Sequence, residues 1–324
     1  MFDATDLKTP YLKPWWRVTY EATRVTFHYG EQLVTCHGRA AVVLFPTLLP
    51  LLDGLHSIDD VVNALGPVAA PAIRKALDIL ASRELLIDGP AIPADIPPAA
   101  RETVHFIAAN RRVTRPLHAD AERLVRLRVG VAGSATTARE IVRSLIALGA
   151  NAETLSWTAS AAQTAACDLV VVAPSAAELP LLFDWNRRAL DEGTVWLQVL
   201  PHDGRFASVG PLYVPGETCC YACFCYRRAS NVEYASEFWA MQATPAPYPS
   251  TLPLELILTG LVTLAVLRWH LRADEALPGQ FQAVELGADV ALSTHLVYRV
   301  PRCTTCSSVG TIAPPLPWYE SSAS

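Results

Sequence analysis

Two Cys-x-x-Cys pairs, Cys220-Tyr-Ala-Cys223 and Cys303-Thr-Thr-Cys306, constrain the fold of this chain more than any other feature of its sequence. Each pair can present two thiolates from a tight knuckle, and four soft sulfurs about 2.3 Å from one ion make a closed tetrahedral zinc site. Such a site would staple the carboxyl-terminal tail to a loop roughly 80 residues earlier. Lacking an open coordination position, it would be structural and not a source of activated water. Disulfides and unpaired core thiols compete for the same residues, although disulfides belong to oxidising compartments. Cys219 and Cys225 crowd the first knuckle, and either could take a ligand position there. Cys36 and Cys167, on or beside expected strands, read as small buried hydrophobes.

A chain of 324 residues favours two domains, and 51% hydrophobic against 18% charged residues is enough apolar mass for more than one core. Its 31 acidic and 26 basic residues leave a net charge of −5, so no overall cationic field exists to hold nucleic acid or anionic lipid. Lys8, Lys13 and Lys75 are the only lysines. The start, MFDATDLKTPYLKPWW, has no charged segment leading into an apolar run, so a cytoplasmic protein is expected. The longest apolar stretch, Leu256 to Leu267, is about half of what a bilayer span needs and reads as a buried helix.

Proline marks the main internal boundary. Residues 89–100 hold four prolines, whose missing N–H groups forbid a long helix or a central strand, and are read as a linker. Upstream, Arg17 to Tyr20, Arg24 to His28 and Gln32 to His37 read as a small antiparallel sheet turning at Tyr29-Gly30-Glu31. Ala40 to Leu52 suggests a short helix interrupted by Pro46 and Pro50, and Ser57 with Asp60 caps a second helix. Pro71 opens a third, with Ile73, Leu77 and Leu80 on one face, after which Leu85-Leu86-Ile87 can return to the sheet. Three strands and three helices over residues 1–88 describe a winged-helix-like α+β module.

From residue 101 onward the pattern becomes α/β, an alternation of strands and helices that implies a parallel sheet. Strands are expected at Leu127 to Ala132, Ala152 to Leu155, Asp168 to Ala173 and Thr194 to Leu200, with helices at Thr137 to Leu148 and Ala177 to Leu190. Val129-Gly-Val-Ala-Gly-Ser-Ala135 sits where a nucleotide phosphate would rest on backbone N–H groups. A G-x-G-x-x-G fingerprint needs three glycines, whereas this turn has Gly130 and Gly133, and no lysine follows Lys75. The turn therefore reads as scaffold, with no ATP expected in this chain. The eight histidines show no metal-ligand spacing, and no G-x-S-x-G elbow exists. No catalytic residue is assigned.

The segment Val209-Gly-Pro-Leu-Tyr-Val-Pro-Gly-Glu-Thr-Cys-Cys-Tyr-Ala-Cys223, with Arg227-Arg228 after it and Tyr298-Arg-Val-Pro-Arg-Cys-Thr-Thr-Cys306 near the end, resembles a known family. It is similar to the ThiF-like (E1-like) cyclodehydratase partners, or leader peptide-binding proteins, of thiazole/oxazole-modified microcin biosynthesis. Leu51-Leu52-Asp53-Gly54 and the capped helix after it also look like a PqqD-type recognition element. The resemblance implies a winged-helix peptide-recognition element over 1–88, the linker 89–100, and a ThiF-like Rossmann-type domain over 101–324 with Zn2+ on Cys220, Cys223, Cys303 and Cys306. It implies that the chain captures the leader of a ribosomal precursor peptide and presents the core to a YcaO-type ATP-dependent cyclodehydratase. A homodimer is implied too, and an FMN-dependent azoline dehydrogenase is a further partner it admits.

Capture would proceed by strand addition, the leader pairing with an exposed edge while its side chains enter a groove beside the third helix. Gln32 to Cys36 is the expected edge. Leu33, Val34 and Thr35 would contact the leader from the strand, and Ile73, Leu77 and Leu80 would line the helix side. DNA binding, the other use of a winged helix, is disfavoured because PAIRKALDILASREL carries three bases and two acids. Two rival functions remain: a ThiF-type enzyme that itself adenylates a carboxylate or amide, and a redox protein using Cys219 or Cys225.

Overall fold

The structure, a computed structural model, describes residues 7–110, 116–244, 247–272, 277–287 and 289–307. The chain divides into two compact units, Met1–Val125 and Arg126–Ser324.

In the amino-terminal unit, β1 (Pro10–Leu12) precedes β2 (Arg17–Tyr20), β3 (Arg24–Tyr29) and β4 (Gln32–His37), the last three forming an antiparallel sheet in that order. Tyr29 pairs with Gln32, so Gly30-Glu31 is a two-residue turn, and Gly30 takes the left-handed φ of 56° that such a turn requires. Val25 and Phe27 alternate inward from β3 and are fully buried, Phe27 edge-on to Phe45 at 5.8 Å. Helix α1 (Arg39–Leu48) passes through Pro46 and tightens into a 3₁₀ turn over Leu49–Leu51. The expected break thus falls at Pro50 alone: Pro46 lies in the last turn of α1, where its missing N–H removes a single bond. Helix α2 (Ile58–Leu65) opens on a reciprocal Ser57/Asp60 capping box, and α3 (Ala70–Ser82) buries Ile73, Ala76, Leu77, Leu80 and Ala81.

β5 (Leu86–Asp88) does not rejoin the three-stranded sheet. It pairs antiparallel with β1, an element the sequence reading missed because Pro10 cannot donate to a ladder. The proline-rich segment is docked and not a free spacer. Gly89 donates its N–H to Thr9 O at 2.8 Å, and a Cβ at Gly89 would lie 2.2 Å from the Gly54 carbonyl oxygen. Pro98 then opens α4 (Pro98–Ala109), a position where its lost N–H had no helical partner anyway. α5 (Leu117–Arg126) follows, and the compact unit continues to Val125 instead of stopping at residue 88.

The carboxyl-terminal unit is built on β6 (Arg128–Ala132), α6 (Thr136–Ala147), β7 (Asn151–Leu155), α7 (Ala161–Ala165), β8 (Leu169–Val172), α8 (Leu181–Glu192) and β9 (Trp196–Leu200). After these come β10 (Phe206–Tyr213), α9 (Tyr221–Ala229), α10 (Ala235–Ala243), α11 (Leu252–Arg272), β11 (Gln280–Leu286) and β12 (Val290–Leu296). One seven-stranded sheet runs β12-β11-β10-β9-β8-β6-β7. Only β7, β6, β8 and β9 are parallel; β10 to β12 extend the sheet antiparallel, so the expected parallel sheet is the first half of a mixed one. Pro211 lies inside the buried strand β10, where the register shifts between Val209 and Leu212 to accommodate it. Helix α11 is 21 residues long, exceeding the expected apolar stretch. By length and composition it could cross a bilayer, but it packs against α6 and β10 and buries Leu254, Leu258, Val262 and Val266.

Candidate metal centre and strand edge

The two cysteine knuckles come together from distant parts of the carboxyl-terminal unit. Cys220 is the N-cap of α9 and Cys223 lies in its first turn, while Cys303 and Cys306 sit on the turn that follows β12. Their four sulfur atoms lie within 4.8 Å of one another. Cys220 Sγ is 3.8 Å from both Cys223 Sγ and Cys303 Sγ, and Cys223 Sγ is 3.5 Å from Cys306 Sγ. A tetrahedron of metal–sulfur bonds of about 2.3 Å requires sulfurs about 3.8 Å apart, so the set fits one thiophilic ion. Disulfides are excluded in this structure, since all these thiols are free and too far apart for an S–S bond.

Hydrogen bonds brace the tail against the first knuckle. The Arg299 guanidinium donates to Gly216 O at 2.7 Å and Thr218 O at 3.0 Å, and Arg227 donates to Tyr298 O and Arg299 O. Val300 N–H donates to Cys223 Sγ at 3.3 Å, the kind of bond that supports a thiolate ligand. A hydrogen bond from Cys220, together with that from Val300, holds the Cys223 thiol below its ordinary pKa despite its burial. Cys219 and Cys225 lie outside the four-sulfur group, are 3% and 1% exposed, and are each pushed up to about 12 by burial. An accessible, low-pKa redox thiol needs the opposite environment.

The turn after β6 is tightly packed. Gly133 has φ 121°, and a Cβ there would meet Ala173 O at 2.0 Å; one at Gly130 would meet the Leu155 side chain at 2.3 Å. Both glycines are required by neighbouring protein atoms. The turn also holds an anion of its own. Glu178, on the segment after β8, accepts hydrogen bonds from Ser134 N–H at 2.9 Å, Ser175 N–H at 2.8 Å and Trp157 Nε1–H at 2.7 Å. Partial burial raises its pKa, but these donors more than offset that and hold the carboxyl at about 2. Sequence reasoning missed Glu178, because nothing local marks a residue 44 positions away as the partner of Ser134.

In the amino-terminal unit, β4 is an edge strand. Since Tyr29 and Gln32 close the hairpin as a hydrogen-bonded pair, Gln32, Val34 and Cys36 bond inward to β3, and Leu33 and Thr35 direct their N–H and C=O groups out of the sheet. Val34 and Cys36 turn their side chains onto the core, while Leu33 is 66% exposed. The expected helix-side residues differ: Ile73, Leu77 and Leu80 are 0%, 1% and 0% exposed and belong to the unit's core. Their 3.6-residue spacing marks the buried face of α3, so any groove surface on that helix belongs to the residues between them. At its end, Arg83 shares a cavity with Leu33 and Val34 and acts electrostatically on Cys36.

No protein family and no curated protein matches this sequence. Solved structures do match its fold. A heterocyclase in complex with substrate and cofactor aligns at 20% identity with a TM-score of 0.68, covering 92% of this chain and 39% of that one. The heterocyclase TruD aligns at 23% identity and a TM-score of 0.66, covering 92% and 43%. E. coli MccB, a microcin C7 biosynthetic enzyme, in complex with N-formylated MccA aligns at 12% identity and a TM-score of 0.56, covering 92% and 99%. This chain therefore spans about two fifths of the heterocyclases' length and nearly all of MccB. At these identities the likeness is one of fold.

Proposed function

We propose that this chain is the leader-peptide-binding scaffold subunit of an azoline-forming heterocycle synthetase. The amino-terminal unit holds a winged-helix-like, PqqD-type recognition element over residues 1–88, the carboxyl-terminal unit is a ThiF-like domain, and Zn2+ on Cys220, Cys223, Cys303 and Cys306 clamps that domain's tail. The observation that carries the reading is the open β4 edge, whose Leu33 and Thr35 backbone groups can pair with an extended guest. The leader of a ribosomal precursor peptide adds there as a fourth strand. Its core is thereby held near a YcaO-type partner, which supplies the ATP chemistry that activates backbone amides toward Cys, Ser or Thr side chains. A heterocyclase of this fold in complex with substrate, more than twice as long as this chain, supports such a split of recognition and chemistry between two proteins. An FMN-dependent azoline dehydrogenase would act on the product. The outward Leu252, Leu256 and Leu264 of α11 support a homodimer.

The rival reading is an adenylating enzyme, favoured by the whole-length likeness to MccB, which is also known with AMPCPP and MccA. Glu178 weighs against it, since a phosphate entering the β6 turn would meet a resident carboxylate and no lysine. Two measurements decide. Fluorescence anisotropy with a labelled candidate leader peptide should give saturable binding that Leu33→Pro weakens about tenfold or more, because proline deletes an outward N–H that the fold itself does not use. Unchanged binding would remove the edge from the proposal. Micromolar ATP binding or pyrophosphate exchange by the chain alone would overturn the scaffold reading in favour of adenylation.

A further inference from the structure

The proposed edge is not chemically neutral along its length. Where β4 begins, it opens onto a cavity of about 540 Å³ whose walls include Lys13, Trp15, Trp16, Tyr29, Leu33 and Arg83. The aromatic rings are held in place by their neighbours: Trp16 lies 6.2 Å from Tyr29, and Trp15 lies 6.2 Å from His105. Among the described residues, two cations and one carboxylate, Glu84, share the cavity. Glu84 stabilises the charge of half-buried Lys13, which burial alone disfavours. Arg83, the C-cap of α3, has no salt bridge among the described residues. Its guanidinium is left as the excess positive charge of a cavity walled in part by Trp15, Trp16 and Tyr29. The chain is acidic overall, and one of its three lysines is spent here, so this local sign runs against the composition.

A strand added along β4 through Leu33 and Thr35 points alternate side chains toward the inward face of the edge, over this cavity. We infer that the guest is an acidic peptide, whose Asp or Glu side chain is taken by Arg83 while an adjacent apolar or aromatic side chain packs on Trp15 and Trp16. This rests on the edge-capture reading above and adds the chemical class of the guest. A guanidinium suits it, because its planar fork can bond a carboxylate in two places. The negative charge of Glu84 in the same cavity disfavours a second acid beside the first, so one carboxylate is the expected content.

The test is selection of short random peptides displayed on phage against the intact chain, followed by resynthesis of a selected peptide. Wild type should enrich Asp or Glu at one position next to an apolar residue. Arg83→Glu should shift the enrichment to Lys or Arg and weaken the wild-type-selected peptide about tenfold, since a charge-assisted hydrogen bond is replaced by a like-charge contact. Arg83 is exposed at a helix end, and an unchanged melting temperature confirms that the variant folds. Selected peptides that compete through the edge, and are lost with Leu33→Pro, but show no acidic preference would overturn this inference and leave edge capture standing. Selected peptides indifferent to Leu33→Pro would remove both.

Discussion

The cysteine clasp and the β4 edge are the two places where this chain concentrates groups that demand partners, and it treats them in opposite ways. At the clasp, four sulfurs converge from knuckles far apart in sequence, and Arg299, Arg227 and Val300 tie down the backbone around them. Nothing there is left over for a second molecule. At β4, the backbone groups of Leu33 and Thr35 face outward with an exposed leucine beside them. An edge of this kind invites pairing with another chain and is normally blunted by a charge, a proline or a cover. The contrast separates a closed site, whose loss should damage the fold, from an open one, whose loss should damage binding alone.

The largest expected effect lies on the closed side. Replacing Cys303 by Ser, or stripping the metal with a chelator, should destabilise the carboxyl-terminal unit by on the order of 5 kcal/mol, because metal binding there is coupled to folding. Metal analysis by mass spectrometry should give one zinc per wild-type chain, and thermal unfolding should report the loss. A chelator that leaves the melting curve untouched would break the contrast at its first term.

Next comes the boundary between the two behaviours, which runs through α3. Leu77→Asp places an unpaired carboxylate in a core position that is 1% exposed, at a cost of about 4 kcal/mol, and should unfold the amino-terminal unit while zinc content stays at one. The same substitution would look like a binding defect if only peptide affinity were measured, so circular dichroism must accompany it. Leu33→Pro is the complementary case. Its effect on stability should be about 1 kcal/mol or less, because the replaced N–H points away from the sheet, whereas its effect on leader affinity should be severe. A Leu33→Pro protein that is unfolded would show that the edge is part of the scaffold after all.

The sequence revealed these two sites unequally, for physical reasons. Cys-x-x-Cys spacing is a local signature of metal ligation, so Cys220, Cys223, Cys303 and Cys306 were legible as a group although the fold had to bring them together. The hairpin over β3 and β4 was equally legible, because alternation and a Gly30-Glu31 turn are also local. Periodicity in α3 correctly located one face of the helix, but periodicity reports burial, and Ile73, Leu77 and Leu80 are core for that reason. The residues that flank the cavity, Arg83 and Trp15, carry no pattern of their own. β10 was hidden by Pro211, which local rules exclude from a central strand and which a register shift admits. Glu178 was hidden because its role exists only once β6 and β8 lie side by side.

Glu178 also gives the smallest and most discriminating prediction, since it is a closed site placed where an open one would have bound phosphate. Its carboxyl ionises at about 2 in the folded chain against an ordinary value of 4.5. A depressed folded pKa means that the unfolded chain binds the proton more tightly, so the stabilisation is complete above about pH 4.5 and is lost as pH falls toward 2. Glu178→Gln should lower stability modestly at neutral pH and remove this part of the acid dependence, leaving wild type and variant to converge as pH approaches 2. Urea unfolding at several pH values between those limits measures the convergence. If the two curves run parallel instead, the carboxylate is not held by Ser134, Ser175 and Trp157 as described, and the β6 turn is free for an external anion.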